Sequence, residues 1–98
     1  MLFARFRKPK WQHADPQVRK QALLLLDPAD PEDAGILTRL ATEDVAPEVR
    51  RSAVKRLSSL DLLRSRIVED EDAEVREVAA ARYRQLLAGG SDTAPLEQ

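Results

Sequence analysis

Apolar residues along this chain recur at three- and four-residue intervals, in stretches interrupted by Asp-Pro pairs and other turn signals. Val18, Ala22, Leu25 and Leu26 form the first stripe, which opens at Asp15-Pro16, an N-cap oxygen followed by proline at the first helical position. Asp27-Pro28 closes it. Asp30-Pro31 repeats the signal and predicts a helix over 31–42, with Ile36, Leu37, Leu40 and Ala41 inward. A further helix is expected from Pro47, with Val49, Ala53, Leu57 and Leu60 inward. Its cap position holds Ala46, a poor cap, and Asp44 is the nearby alternative. A short helix follows at about 60–69 through Leu60, Leu63 and Ile67, too short to persist without packing. The last helix begins after Asp72 and carries Val75, Val78, Ala79, Tyr83 and Leu86 to a stop at Gly89-Gly90.

Laid over these stripes is one phrase spelled three times. Val-Arg-x-x-Ala occurs at Val18-Arg19-Ala22, Val49-Arg50-Ala53 and Val75-Arg76-Ala79, with a large residue eight positions after each Val, namely Leu26, Leu57 and Tyr83. Steps of 31 and 26 residues fall in the range of stacked repeats. The layout predicts helix pairs, each a shorter outer helix, a turn and a Val-Arg helix, that bury their apolar faces only by stacking. Ala at the fourth position allows neighbouring helices to approach. The first copy has no outer helix, and Leu2, Phe3, Phe6 and Trp11 are expected to cover that end. The expected division is a basic, aromatic capping segment at 1–14, a repeat domain at 15–90 and a disordered tail at 91–98.

Composition narrows the function. Four aromatics and three glycines in 98 residues suit an all-α domain, and the absence of cysteine excludes disulfides, thiolate metal sites and cysteine nucleophiles. A cytoplasmic location is expected. No apolar run approaches the ~20 residues of a membrane span, and the start has no signal-peptide pattern. The net charge of −1 conceals alternating blocks: +5 over 1–20, −6 over 21–48, +5 over 49–66 and −5 over 67–80. Neighbouring repeats of opposite sign attract one another and leave a soluble surface.

Asp-x-x-Val-Arg-x-x-Ala, complete in two copies and altered at Ala46 in the middle one, resembles the HEAT-like repeats first noted in phycobilisome lyases. That resemblance spans most of 15–88. It implies a short α-α solenoid of about three helical hairpins, in which Arg19, Arg50 and Arg76 pair with acidic or backbone groups across the repeat turns. The opening PKWQHADPQVR is also similar to the N-terminus of a larger bacterial family of unknown function, whose helical repeats precede long charged helices. This second likeness covers about 3–30 and implies a relative of a scaffold's first domain, truncated or free-standing.

Catalytic readings lack parts. His13 is the only histidine and sits in a loop, with no spacing that joins it to Ser52, Ser58, Ser59 or Ser65. There is no phosphate loop and no metal-ligand spacing, so no cofactor and no metal are expected. Glu69-Asp70-Glu71-Asp72 lacks the alternating ligands and central glycine of a calcium loop and reads as a turn with Asp72 as cap. Nucleic-acid binding is the alternative to a protein-interaction role. Arg5, Arg7, Lys8 and Lys10 alternate with aromatic residues, and Arg51, Lys55, Arg56, Arg64 and Arg66 add a second basic group. Against it stand the sequence pI of 5.8 and Glu77, which occupies the position held by Lys20 and Arg51 in the other copies. The expected partner is a protein. It would meet the exposed Val-Arg face where the copies differ, at Lys20, Arg51, Lys55 and Glu77, with Trp11 beside them.

Overall fold

The computed structural model describes residues 9–89. Leu2, Phe3 and Phe6, the basic residues Arg5, Arg7 and Lys8, Gly90 and the 91–98 tail lie outside the described residues. The described residues form five α-helices after a single 3₁₀ turn at Lys10–Gln12, and no strand is found among them. The helices are α1 (Pro16–Leu23), α2 (Pro31–Glu43), α3 (Pro47–Val54), α4 (Leu60–Glu69) and α5 (Ala73–Leu87).

Their starts follow the sequence signals. Asp15, Asp30 and Asp72 each accept a backbone N–H from the first turn, at 2.9, 3.0 and 2.9 Å. Ser59 does the same for α4 at 3.2 Å. Ala46 provides no side-chain cap. Asp44 compensates from two residues upstream, its carboxylate accepting the Ala46 N–H at 2.9 Å and fixing the chain direction into α3.

The ends depart from expectation. Both α1 and α3 are eight residues long and finish in tightened turns, in which Leu26 N–H reaches the Leu23 carbonyl and Leu57 N–H the Val54 carbonyl. The periodic stripe therefore breaks after α1, and Leu25, expected inward, is 87% exposed while Leu23 is fully buried. Leu60 likewise opens α4 on the surface instead of closing α3 inside. The outer helix α2 is longer than α3, reversing the expected proportion, whereas α4 is shorter than α5 as expected. At the end of α5, Gly89 takes φ 85°, the left-handed conformation that suits glycine at a helix stop.

Packing centres on α3. It lies against α1 on one side, α5 on the other and α2 behind, while α4 packs on α5. Val49, Ala53 and Val54 of α3, Val75 and Ala79 of α5, Leu37, Leu40 and Ala41 of α2, and Leu63 of α4 form one core with Leu23 and Leu57. Ala53 and Ala79 are wholly buried, so the small residues do sit where helices meet.

Candidate interaction surface

Two edges of the helix array are stitched by arginines. On the turn edge, Arg19 grips Asp44 with Nε and Nη2, both at 2.8 Å, and Arg50 grips Asp70 with the same two nitrogens at 2.8 and 3.0 Å. The third nitrogen, Nη1, donates backwards to the carbonyl six residues earlier. Arg19 meets His13 O at 2.8 Å, Arg50 meets Asp44 O at 2.7 Å and Arg76 meets Asp70 O at 2.8 Å.

The resulting ladder is buried. The Arg50 and Asp70 side chains are 8% and 1% exposed, and a bidentate pair of this kind combines charge with fixed geometry. Burial pushes the Asp70 carboxyl up. The Arg50 hydrogen bond, the Asp72 N–H and the charges of Arg50 and Arg66 outweigh it, holding Asp70 below the usual carboxylate range. Donating hydrogen bonds to Asp70 raises Arg50 against its own desolvation, and donating to Asp44 does the same for Arg19.

Arg66 adds a second cation to Asp70 at 3.2 Å, and its Nε is the one buried side-chain polar atom without a partner among the described residues. It lines an open cleft of about 400 Å³ between the two turns, with Thr42, Glu43, Asp44, Glu69 and Glu71. No group of three His, Cys, Asp or Glu suited to a metal ion occurs among the described residues.

On the opposite edge, Arg56 donates Nη1 to the Leu23 carbonyl and Arg82 donates Nε to the Leu57 carbonyl at 2.9 Å. A cation on these late carbonyls suits the negative end of a helix. The signal was present in the sequence as a column seven residues after each Val, reading Leu25, Arg56 and Arg82. The first copy has leucine there, and among the described residues only the 3₁₀ turn precedes α1.

The residues expected to meet a partner occupy different settings. Lys20 is half-buried on α1, Lys55 is exposed one residue past the end of α3, and Glu77 is exposed on α5. Arg51 spans to the start of α5, 3.0 Å from Glu74 and 3.9 Å from Asp72. The fold thus ties Arg51 into the array. Lys55 edges a shallow groove of about 510 Å³ lined by Val78, Ala81, Arg82 and Gln85. Trp11 stands apart from that groove. It is half-buried against α2, with the Arg39 guanidinium 5.7 Å from its ring centroid, a cation–π distance.

His13 has a structural position. Its Nδ1 accepts the Asp15 N–H at 3.0 Å, as Asp44 accepts from Ala46 and Asp70 from Asp72. It is the first copy's counterpart of those two aspartates. No helix of the described residues is long and apolar enough to cross a membrane. No protein-family model, curated protein or solved structure matches the chain.

Proposed function

We infer that this chain is a short α-α solenoid of about three HEAT-like hairpins, serving as a non-catalytic protein-interaction module of the cytoplasm. The observation that carries the reading is how burial divides the repeated phrase. In α3 and α5 the residues common to the copies are drawn inward, Val49, Val75, Ala53 and Ala79 to zero exposure. Of the positions where copies disagree, Arg51 is half-buried while Lys55, Glu77 and Ala81 are exposed, and Lys55 and Ala81 line a groove of mixed character. A constant interior with a variable outer face suits recognition of one partner. Lys20, Arg51, Lys55 and Glu77 are the residues assigned to that face, and Trp11, which stands apart against α2, is a separate contact.

Internal engagement of the basic residues favours a protein over a nucleic acid. Arg56 is committed to Leu23, Arg66 to Asp70, and Arg51 to Glu74. Each leaves less positive charge for phosphates.

The test is a pair of titrations. A partner identified by cross-linking should lose about tenfold or more in affinity when Arg51 and Lys55 are both changed to Glu, since rim charges tune association. The circular dichroism of the variant should stay helical. Undiminished affinity removes the two residues from the site. Parallel titration with DNA and RNA at rising salt decides between classes, because tight binding that falls steeply with salt would establish the nucleic-acid alternative.

A further inference from the structure

Lys55, Val78, Ala81, Arg82 and Gln85 line the groove between the end of α3 and α5, and their polar chemistry is one-sided. Lys55 brings an ammonium, which donates hydrogen bonds and cannot accept them. Arg82 brings a guanidinium, which also has no acceptor. Its Nε donates to the Leu57 carbonyl at 2.9 Å and its Nη1 to Gln85 Oε1 at 3.1 Å. The second bond turns the acceptor end of Gln85 toward Arg82 and leaves its amide N–H groups to face away. Each polar side chain of the groove therefore offers donors, and the charge of the lining is positive. Val78 and Ala81 supply the apolar part.

The fold holds this arrangement ready. The clamp of Arg82 on Leu57 serves a helix end, and it also fixes the guanidinium, so less side-chain freedom remains to be lost on binding. Fixed, charged donors beside an apolar surface suit an anion with an apolar neighbour. Two features decide its source. The groove is shallow, so it does not enclose a small molecule as a ligand pocket does, whereas a chain segment laid across it needs no enclosure. A nucleic-acid backbone would carry further phosphates past the groove. Glu77 precedes Ala81 by one turn on the same face of α5, and Glu74 lies a further turn back. Both are exposed and would repel those phosphates. A single carboxylate among neutral residues escapes that repulsion.

We propose that the groove receives an acidic side chain of a protein partner with an apolar residue beside it. The carboxylate meets Lys55 and Arg82, and the apolar group meets Val78 and Ala81. This deepens the docking reading above and rests on it.

The experiment selects random short peptides, displayed on phage, against the full immobilised chain. The enriched peptides should carry Asp or Glu next to a large apolar residue. Lys55→Glu and Ala81→Trp change exposed positions, the first reversing the charge and the second filling the groove. Each should weaken the best peptide by about tenfold or more, the scale of a hydrogen bond to a charged group. Changing that peptide's acid to Lys should restore binding to the Lys55→Glu chain and to no other. Enriched peptides without an acid, yet weakened by Ala81→Trp, would overturn the proposal and leave the docking face standing. Failure to enrich any peptide, or binding indifferent to both changes, would also overturn it. The docking reading would then rest on the Arg51 and Lys55 titration with the cross-linked partner. Displacement of the peptide by oligothymidine would give the groove to phosphate. A concentration-dependent rise in sedimentation coefficient that Lys55→Glu removes would give it to a second copy. Either result sinks the proposal.

Discussion

The first and second copies of the Val-Arg phrase share the frame Pro-x-Val-Arg-x-x-Ala in unlike surroundings. Val49 and Ala53 of α3 are completely enclosed, whereas Val18 and Ala22 of α1 are only half-buried. Both helices start after a β-region residue followed by proline, and both are eight residues long. The difference comes from neighbours. Helix α3 has a helix on each flank and one behind, whereas α1 meets α3 and the 3₁₀ turn carrying Trp11. A repeat residue thus acquires its energetic weight from the copies beside it, not from its own letter. The same holds for the rungs, since Asp70 receives two arginines and Asp44 one.

The comparison can be broken most forcefully at the rungs. Asp70→Ala strands Arg50 and Arg66 in a largely dry setting and should cost ~3–5 kcal/mol, the usual penalty for halving a buried pair. Asp44→Ala strands only Arg19 and should cost about 1.5–3 kcal/mol. Urea unfolding of both variants measures the gap, and equal losses would mean that the second cation on Asp70 is immaterial. With a small domain's total of about 5–15 kcal/mol, the Asp70 variant will approach the limit of folding, and Asp70→Asn provides a milder form.

A smaller contrast lies in the helix contacts. Ala53→Leu overpacks an enclosed site and should destabilise by ~1–3 kcal/mol. The matching Ala22→Leu change, on a half-buried position, should stay within about 0.5 kcal/mol. Thermal melts of the two variants check this, and similar melting temperatures would show that α1 is as enclosed as α3.

Acid provides the gentlest probe. The Asp70 carboxyl is held below its ordinary range in the folded chain, so it contributes stability that is present above the unfolded carboxylate pKa. That contribution disappears as pH falls through the depressed value. Unfolding free energy followed from neutral to about pH 2 should decline in this window, and the decline should flatten in Asp70→Asn. A wild-type curve that matches the variant's would remove Asp70 as a source of the acid sensitivity.

Much of this was legible in the residues. The caps Asp15, Asp30 and Asp72, the proline starts and the glycine stop place helix beginnings and the final end within a residue or two, because they act locally. The ends of α1 and α3 were not legible, since a 3₁₀ tightening leaves the apolar spacing readable as a longer helix. Leu57 is buried from outside its helix by that turn, and Leu25 is exposed for the same reason. Of the ladder, Arg19, Arg50 and Arg76 were identified through the resemblance, but Asp44 was taken for a cap and Asp70 for one carboxylate among several. Which acid an arginine chooses depends on its meeting in space a turn 20 or 25 residues further along, and no local pattern states that. For the same reason Arg56 reads in the sequence as one of a basic group, and the clamp of Arg82 leaves no local sign.

The rungs also explain how segments of unequal length are held by the same clasp. The interval from the turn residue to its arginine is fixed at six, from His13 to Arg19, Asp44 to Arg50 and Asp70 to Arg76. The interval from each arginine forward to the next aspartate is elastic, 25 residues in one case and 20 in the other. The five-residue difference between the two intervals falls in the outer helices and the links that lead to them. The rigid measure of this chain is a six-residue clasp, and everything between clasps is slack that sequence drift can take up without disturbing the fit.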